Sequence, residues 1–336
     1  MSNRYAYVTL ITRKSYLAGV LILSDTLKRH GASYPLVVLY TPNLCLDAIA
    51  VLNVESLRGN LILRQCLHLF PPGNIGIDLI AERFEDTWTK LRVFELVEYD
   101  AICYLDADMA IFRNMDAVFD KLSLLEENWL GANPACICNR DHDPWALDDW
   151  CPENCAYTSQ SHQSALSRPT QPEKGGKRTH HLMNSGMLLF RPSKVQWDSM
   201  MDFFNTTPLL SSFLFPDQDF LGHFFAGRWK ALGWQFNALK TMKYWHTDIW
   251  RDEEVVCLHY IVDKPWAKRI GEDGIAGHMG RDGITHSWWW NAWDIYVRSL
   301  EKEKLENPSI GKEFLYLVYD SVAPPLGPGQ VENSVV

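Results

Sequence analysis

The sequence contains no apolar run approaching the ~18 residues needed to cross a membrane, which removes a transmembrane helix. Nor has it an excess of positive charge: 32 Lys and Arg stand against 41 Asp and Glu, a formal net charge of −9. A nucleic-acid backbone or an anionic membrane needs a basic face, so neither is expected as a partner, and any phosphate must be held locally. Met1-Ser2-Asn3-Arg4 leads directly into Tyr5-Ala6-Tyr7-Val8-Thr9-Leu10. No basic segment precedes an apolar one there, so a secretory signal is not expected and a cytoplasmic location is. No Gly-x-Gly-x-x-Gly or Gly-Lys-Ser/Thr loop follows the first strand, which excludes the common dinucleotide and P-loop readings. There is no internal repeat.

What is present, 47% hydrophobic and 22% charged residues in a chain of 336, is the composition of a globular protein with a sizeable core. Tyr5 to Leu10 reads as a strand, Tyr16 to His30 as a helix with Ser15 as N-cap and Gly31 as its stop, and Pro35 to Tyr40 as a second strand. A helix over Cys45 to Asn53 and a strand over Leu61 to Arg64 follow, then a turn at Pro71-Pro72-Gly73-Asn74. Asp86 is placed to cap a helix running to about Tyr99, with Trp88, Leu91, Phe94 and Val97 apolar at intervals of three. Later strands are expected at Trp129 to Pro134, Met187 to Phe190 and Val255 to Tyr260, and helices at Ser193 to Asn205, Asp217 to Phe225 and Trp288 to Lys304. Alternating strands and helices make an α/β fold with a doubly wound sheet. A single domain over 1–306 is expected, carrying a Cys-containing, mobile insertion at about 135–181 and followed by a Pro-rich C-terminal tail over 307–336.

The most informative stretch is Ala101-Ile-Cys-Tyr-Leu-Asp106-Ala107-Asp108, a buried-strand pattern that ends in two carboxylates separated by Ala107. Open α/β sheets bind ligands at the carboxyl ends of their strands, and paired carboxylates suit a hard cation such as Mn²⁺ or Mg²⁺. Spacing alone is weak, because Asp141-His-Asp143 and Asp217-Gln218-Asp219 share it, but only the first follows a strand. His259, at the end of the late strand, is a third ligand of the right type, and Lys264 beyond it is a point charge for phosphate. Cys136, Cys138, Cys151 and Cys155, with His142 between them, leave two readings open: a structural Zn²⁺ site or free, partly buried thiols. Trp288, Trp289, Trp290 and Trp293 recur at helical spacing and are expected to pack on a core.

Tyr7-Val8-Thr9-Leu10 with Tyr16, Lys90-Leu91, Tyr104-Leu-Asp-Ala-Asp108, Asn184-Ser185-Gly186, Asp217-Gln218-Asp219 and His259-Tyr260…Lys264-Pro265-Trp266 occur in the order seen in glycosyltransferase family 8. The chain resembles that family, and its galactinol synthase-like members more than glycogenin. The cysteine block, Phe236-Asn237-Ala238-Leu239 and Trp289-Trp290-Asn291-Ala292-Trp293 are all similar to galactinol synthase segments. Two departures stand out: Arg13 occupies a position where glycogenin has Asn, and no glycine lies between His259 and Lys264, where the family carries one.

The resemblance implies a GT-A type fold with a mixed, Rossmann-like nucleotide-sugar sheet, a UDP-sugar donor, Mn²⁺ and retention of anomeric configuration. Carried over by motif, Leu10, Thr12 and Tyr16 would line the uridine site, while Asp106, Asp108 and His259 would hold the metal. Lys264 would meet the diphosphate, and Lys90, Asn184, Ser185, Gly186, Asp217 and Gln218 would surround the sugar. Retention requires either a covalent intermediate, for which Asp217 is the carboxylate offered, or front-face attack within an ion pair, which is favoured here. The acceptor implied is a small polyol such as myo-inositol, or a sugar. The alternatives are a glycogenin-like primer that glucosylates its own Tyr244, and a non-catalytic nucleotide-sugar or zinc-binding module. The choice between UDP-galactose and UDP-glucose is open, as is assembly into an oligomer.

Overall fold

The apolar runs of the first hundred residues form a parallel sheet, as buried strands without alternation should. In the computed structural model, which describes residues 3–73, 86–306 and 310–325, the order is Tyr5–Ile11 (β1), Leu17–Arg29 (α1), Leu36–Tyr40 (β2), Leu46–Arg58 (α2), Leu61–Gln65 (β3), Ala101–Leu105 (β4), Met109–Ile111 (β5), Leu130–Pro134 (β6), His162–Ser167 (α3), Met183–Phe190 (β7), Lys194–Thr206 (α4), Pro216–Phe224 (α5), Trp229–Ala231 (β8), Ala238–Leu239 (β9), Met242–Trp245 (α6), Cys257–His259 (β10), Gly283–Glu303 (α7) and Lys312–Tyr319 (α8). Seven strands join in the order β3-β2-β1-β4-β7-β6-β8, and β5-β10-β9 form a small second sheet. The members of β3-β2-β1-β4 are mutually parallel, whereas β7 runs antiparallel to both β4 and β6. This is a mixed, doubly wound α/β sheet. One face packs Tyr7, Val38, Cys103 and Leu105 against α1 and α2 residues, and the other packs Val8, Val37, Ile102 and Tyr104 against Trp88, Phe94 and Phe220.

Several expectations are corrected. Residues 86–99 do not form an α-helix; Thr87–Glu95 is a run of 3₁₀ turns. The spacing of Trp88, Leu91 and Phe94 already carried that answer, since a three-residue repeat lines up on a helix of 3.0 residues per turn. Asp86 makes no side-chain cap and instead pairs with Arg13 at 2.7 Å. Ser15 is not the N-cap of α1: it lies in a 3₁₀ turn, Lys14–Tyr16, and its carbonyl accepts a hydrogen bond from Trp266 Nε1 at 2.8 Å. Gly31 does end the helix, at φ 73°.

The polar stretch read as a mobile excursion is tied into the fold by side-chain to backbone bonds, which leave no periodic trace in a sequence. Thr170 Oγ1 donates to the Ala156 carbonyl at 2.8 Å, Gln171 bonds both the N–H and C=O of Ala231 on β8, and Thr179 Oγ1 donates to the Asn154 carbonyl at 2.7 Å. Helix α7 begins at Gly283 rather than Trp288, and Trp289, Trp290 and Trp293 are buried as expected. Within the span expected as a tail, α8 buries Phe314, Leu315 and Val318. The remainder of that tail beyond Pro325, with 307–309 and Asn74 of the expected turn, lies outside the described residues. No helix among the described residues is long and apolar enough to cross a membrane.

Candidate active site

The chain leaves the main sheet at Leu105 and enters the small sheet at Met109, so Asp106 and Asp108 sit in the connection between the two. The sequence pattern reads both as the end of the buried strand. They lie in a turn instead, and their carboxylates converge because strand pairing on either side brings partners to them. On one side the Asp106 N–H donates to the Gly186 carbonyl of β7 at 2.8 Å. On the other, β10 runs antiparallel to β5 with His259 opposite Met109, and the Tyr260 N–H donates to the Asp108 carbonyl at 2.9 Å. One ligand atom from each of Asp106, Asp108 and His259 falls within 4.8 Å of the others.

His259 Nε2 is 3.2 Å from Asp108 Oδ1 and 3.9 Å from Asp106 Oδ2. Its Nδ1 lies 2.9 Å from Asn237 Oδ1, and Asn237 Nδ2 donates to Asn184 Oδ1 at 2.8 Å. This chain of amides fixes the ring with Nε2 turned toward the carboxylates, the orientation of a metal-binding histidine. Two carboxylates and an imidazole nitrogen therefore fit a hard divalent cation such as Mn²⁺.

Two lysines flank the pair. Lys264 pairs with Asp108 Oδ2 and donates to the Tyr260 carbonyl at 2.9 Å. Burial opposes ionisation of Asp108, but Lys264 and His259 outweigh it and hold the carboxyl well below its usual range. Lys90 is buried and bridges Asp106 Oδ1 at 3.0 Å and Asp217 Oδ2 at 2.6 Å. For Asp106, burial prevails over Lys90 and pushes the carboxyl up, so the two aspartates differ in environment. Ser185 Oγ also donates to Asp217 Oδ2, at 2.8 Å, and Gln218 Oε1 accepts from Ser185 N at 3.3 Å. Strand β7 extends four residues upstream of the expected start, so Asn184, Ser185 and Gly186 continue it past the Leu105–Met187 pair, with Asn184 opposite Asn133 of β6.

The two aspartates, His259, both lysines, Asn184, Ser185, Gly186, Asp217 and Gln218 line one cleft of about 350 Å³. Leu10, Thr12, Tyr16 and Ala107 line it as well, so every site residue carried over by motif faces this one cleft. Trp145, Trp150 and Phe215, which the motifs do not include, add an aromatic wall. Trp150 and Phe215 stack with centroids 6.2 Å apart, and Trp145 packs edge-on to both. Two tryptophans in an otherwise polar stretch were the available signal.

Gly19 on α1 was also missed. A Cβ there would lie 2.2 Å from the carbonyl oxygen of Ala107 and 2.8 Å from the Trp266 ring, so only glycine lets the helix press against the aspartate turn. Val262, in the glycine-free loop between His259 and Lys264, adopts φ 63°. That left-handed conformation costs a β-branched residue roughly 1–2 kcal/mol. Val262→Gly is expected to raise the thermal unfolding midpoint by about 2 °C, because its side chain is 42% exposed and little packing is lost. A fall in the midpoint would contradict the strain assignment.

The cysteines cluster differently from the sequence block. Cys136, Cys138 and Cys155 converge with His246, while Cys151 stands outside the group. His246 is 110 residues from Cys136, and its α6 anchor carried no signal in the spacing. Tyr244 does not line the cleft, and its hydroxyl is buried.

Comparison with known proteins agrees with this geometry. The family model for glycosyl transferase family 8 matches residues 81–269. Galactinol synthase 4 of Arabidopsis thaliana is 28% identical over 300 residues, covering 87% of this chain and 81% of that protein. Galactinol synthase 1 of Ajuga reptans is 26% identical over 321 residues, covering 93% and 87%. The solved structure of the galactosyltransferase LgtC, in complex with donor and acceptor sugar analogs, superposes with a TM-score of 0.56 at 17% identity, covering 84% of this chain and 94% of that one. The mixed sheet is thus of GT-A type, and more than half of the chain matches the family. This chain belongs to glycosyl transferase family 8 and is a hexosyltransferase.

Proposed function

We propose that this enzyme moves a hexose from a UDP-sugar to a hydroxyl of a small polyol, in a Mn²⁺-dependent reaction that retains anomeric configuration. The observation that carries the reading is the convergence of Asp106, Asp108 and His259 between Lys264 and Lys90 in a single cleft. The relatives' name, galactinol synthase, favours UDP-galactose and myo-inositol among donors and acceptors.

Asp106, Asp108 and His259 would hold the cation, which when bound supplies Lewis-acid stabilisation of charge on a departing diphosphate. Lys264 adds a fixed positive charge beside the same oxygens. Leu10, Thr12 and Tyr16 would line the uridine, and the Trp145, Trp150 and Phe215 wall would face the sugar and acceptor, excluding water. Asp217 and Gln218 would stabilise positive charge on the sugar as the bond to UDP opens. Lys90 and Ser185 both engage Asp217 Oδ2, so that oxygen is not free to attack, which supports front-face attack over a covalent glycosyl intermediate. In front-face attack the acceptor oxygen bonds to the anomeric carbon while its proton passes to the leaving UDP oxygen.

Asp217→Asn is accordingly expected to retain catalysis, with kcat reduced by no more than about 10²-fold. Complete loss, together with a hexosyl adduct on Asp217 detected by mass spectrometry in the wild type, would establish the nucleophile instead. A donor panel incubated with and without myo-inositol tests the substrate assignment. A free hexosyl-inositol is the expected product. Mass added to the protein itself would favour the self-glucosylating alternative, which the buried Tyr244 hydroxyl disfavours at that residue.

A further inference from the structure

The sulfur cluster lies at the edge of the cleft, and its chemistry is distinct from that of the aspartates. His246 Nε2 lies 3.2 Å from Cys136 Sγ, 3.3 Å from Cys138 Sγ and 3.7 Å from Cys155 Sγ. One ring nitrogen carries at most one proton, so three sulfurs cannot all be satisfied as its hydrogen-bond partners. As vertices of a tetrahedron they can: Zn–S of about 2.3 Å and Zn–N of about 2.0–2.1 Å put neighbouring S and N atoms roughly 3.6 Å apart. Cys138, Cys155 and His246 are buried, and the four ligands come from three separate segments. Cys136 and Cys138 follow β6, Cys155 follows a 3₁₀ turn at Pro152–Asn154, and His246 follows α6, with its N–H bonded to the Met242 carbonyl at 2.9 Å.

We propose that Cys136, Cys138, Cys155 and His246 bind a structural Zn²⁺ that fixes the aromatic wall of the cleft. Three soft thiolates with one imidazole select zinc over the hard cation suited to the aspartates, and four protein ligands leave no open position, as in structural sites. Binding displaces three thiol protons to solvent and forms three Zn–S bonds and one Zn–N bond. The loop clamped between Cys138 and Cys155 carries Trp145 and Trp150 against Phe215, which immediately precedes Pro216-Asp217-Gln218. Cys136 itself lines the cleft. The ion therefore couples α6 to the loop that faces the transferring sugar. The role at the wall rests on the transferase reading; the metal assignment does not.

Metal analysis of the purified full chain after removal of loosely bound ions is expected to find about one zinc per chain. Cys138→Ser should lose it, and Cys151→Ser, four residues from Cys155 but outside the cluster, should keep it. Cobalt exchanged into the wild type should show thiolate-to-cobalt charge transfer, which keeps the test decisive if Cys138→Ser does not fold. Zinc loss should raise the acceptor KM by about tenfold while basal UDP release persists. Absence of both zinc and the cobalt band, a disulfide among these cysteines, or dependence of the metal on Cys151 rather than Cys138 would overturn the site. Bound zinc in a wild type that releases no UDP would sink the transferase reading and leave the site standing. Bound zinc whose removal leaves the acceptor KM unchanged would overturn the role at the wall.

Discussion

Asp108→Asn is expected to lower kcat/KM by about 10³-fold or more, equivalent to roughly 4 kcal/mol of transition-state stabilisation. Two losses combine. The substitution removes a unit of negative charge from the ligand set, and amide oxygens bind hard divalent cations more weakly than carboxylates do. It also frees Lys264, which in this structure is held between Asp108 and the Tyr260 carbonyl. Removing one partner of a buried pair is destabilising, but Lys264 keeps some solvent contact, so the folded state should survive at about 1–3 kcal/mol lower stability. A folded variant with lost activity and weakened metal binding is the expected result, read by circular dichroism, manganese titration and initial rates. Activity within tenfold of wild type would remove Asp108 from the metal site.

Gly186→Ala should weaken metal binding through a purely steric route. Gly186 does not adopt positive φ, so no backbone strain is at issue. Its missing side chain is needed because a Cβ would stand 2.3 Å from His259 Cε1, 2.7 Å from Nδ1 and 3.0 Å from Asn184 Oδ1. The imidazole would have to move by about 1 Å, and a displacement of that size at a reacting centre costs about 10²-fold. His259 has no slack, being buried and tethered to Asn237. The apparent manganese constant should rise strongly while uridine binding, proposed to rest on Leu10, Thr12 and Tyr16, changes little. An unchanged manganese titration would show that His259 does not depend on this contact.

Much of the fold was legible because its longer elements carry simple local patterns. Short apolar runs such as Val37 to Leu39 and Ile102 to Leu105, too short for a helix and bounded by turn residues, read as buried strands, and Gly31 marks a helix end through its positive φ. Short elements were not legible: β5, β8 and β9 span two or three residues, fewer than any periodicity requires, yet β5 pairs with the strand that delivers His259. The site residues named from ordered motifs all line one cleft. What escaped were residues whose role depends on distance in space. Gly19 acts by being small against Ala107, Asn237 by orienting a histidine 22 residues away, and His246 by meeting cysteines about a hundred residues earlier. None of these relations has a local signature.

The most direct test of the central claim is UDP release from UDP-galactose, measured with Mn²⁺ or with chelator, in the presence and absence of myo-inositol. Release that requires the cation, is stimulated by inositol and yields a hexosyl-inositol is the predicted result. Release unaffected by chelator, or no binding of the nucleotide sugar at all, would contradict the assignment of Asp106, Asp108 and His259 to a metal-dependent transferase centre.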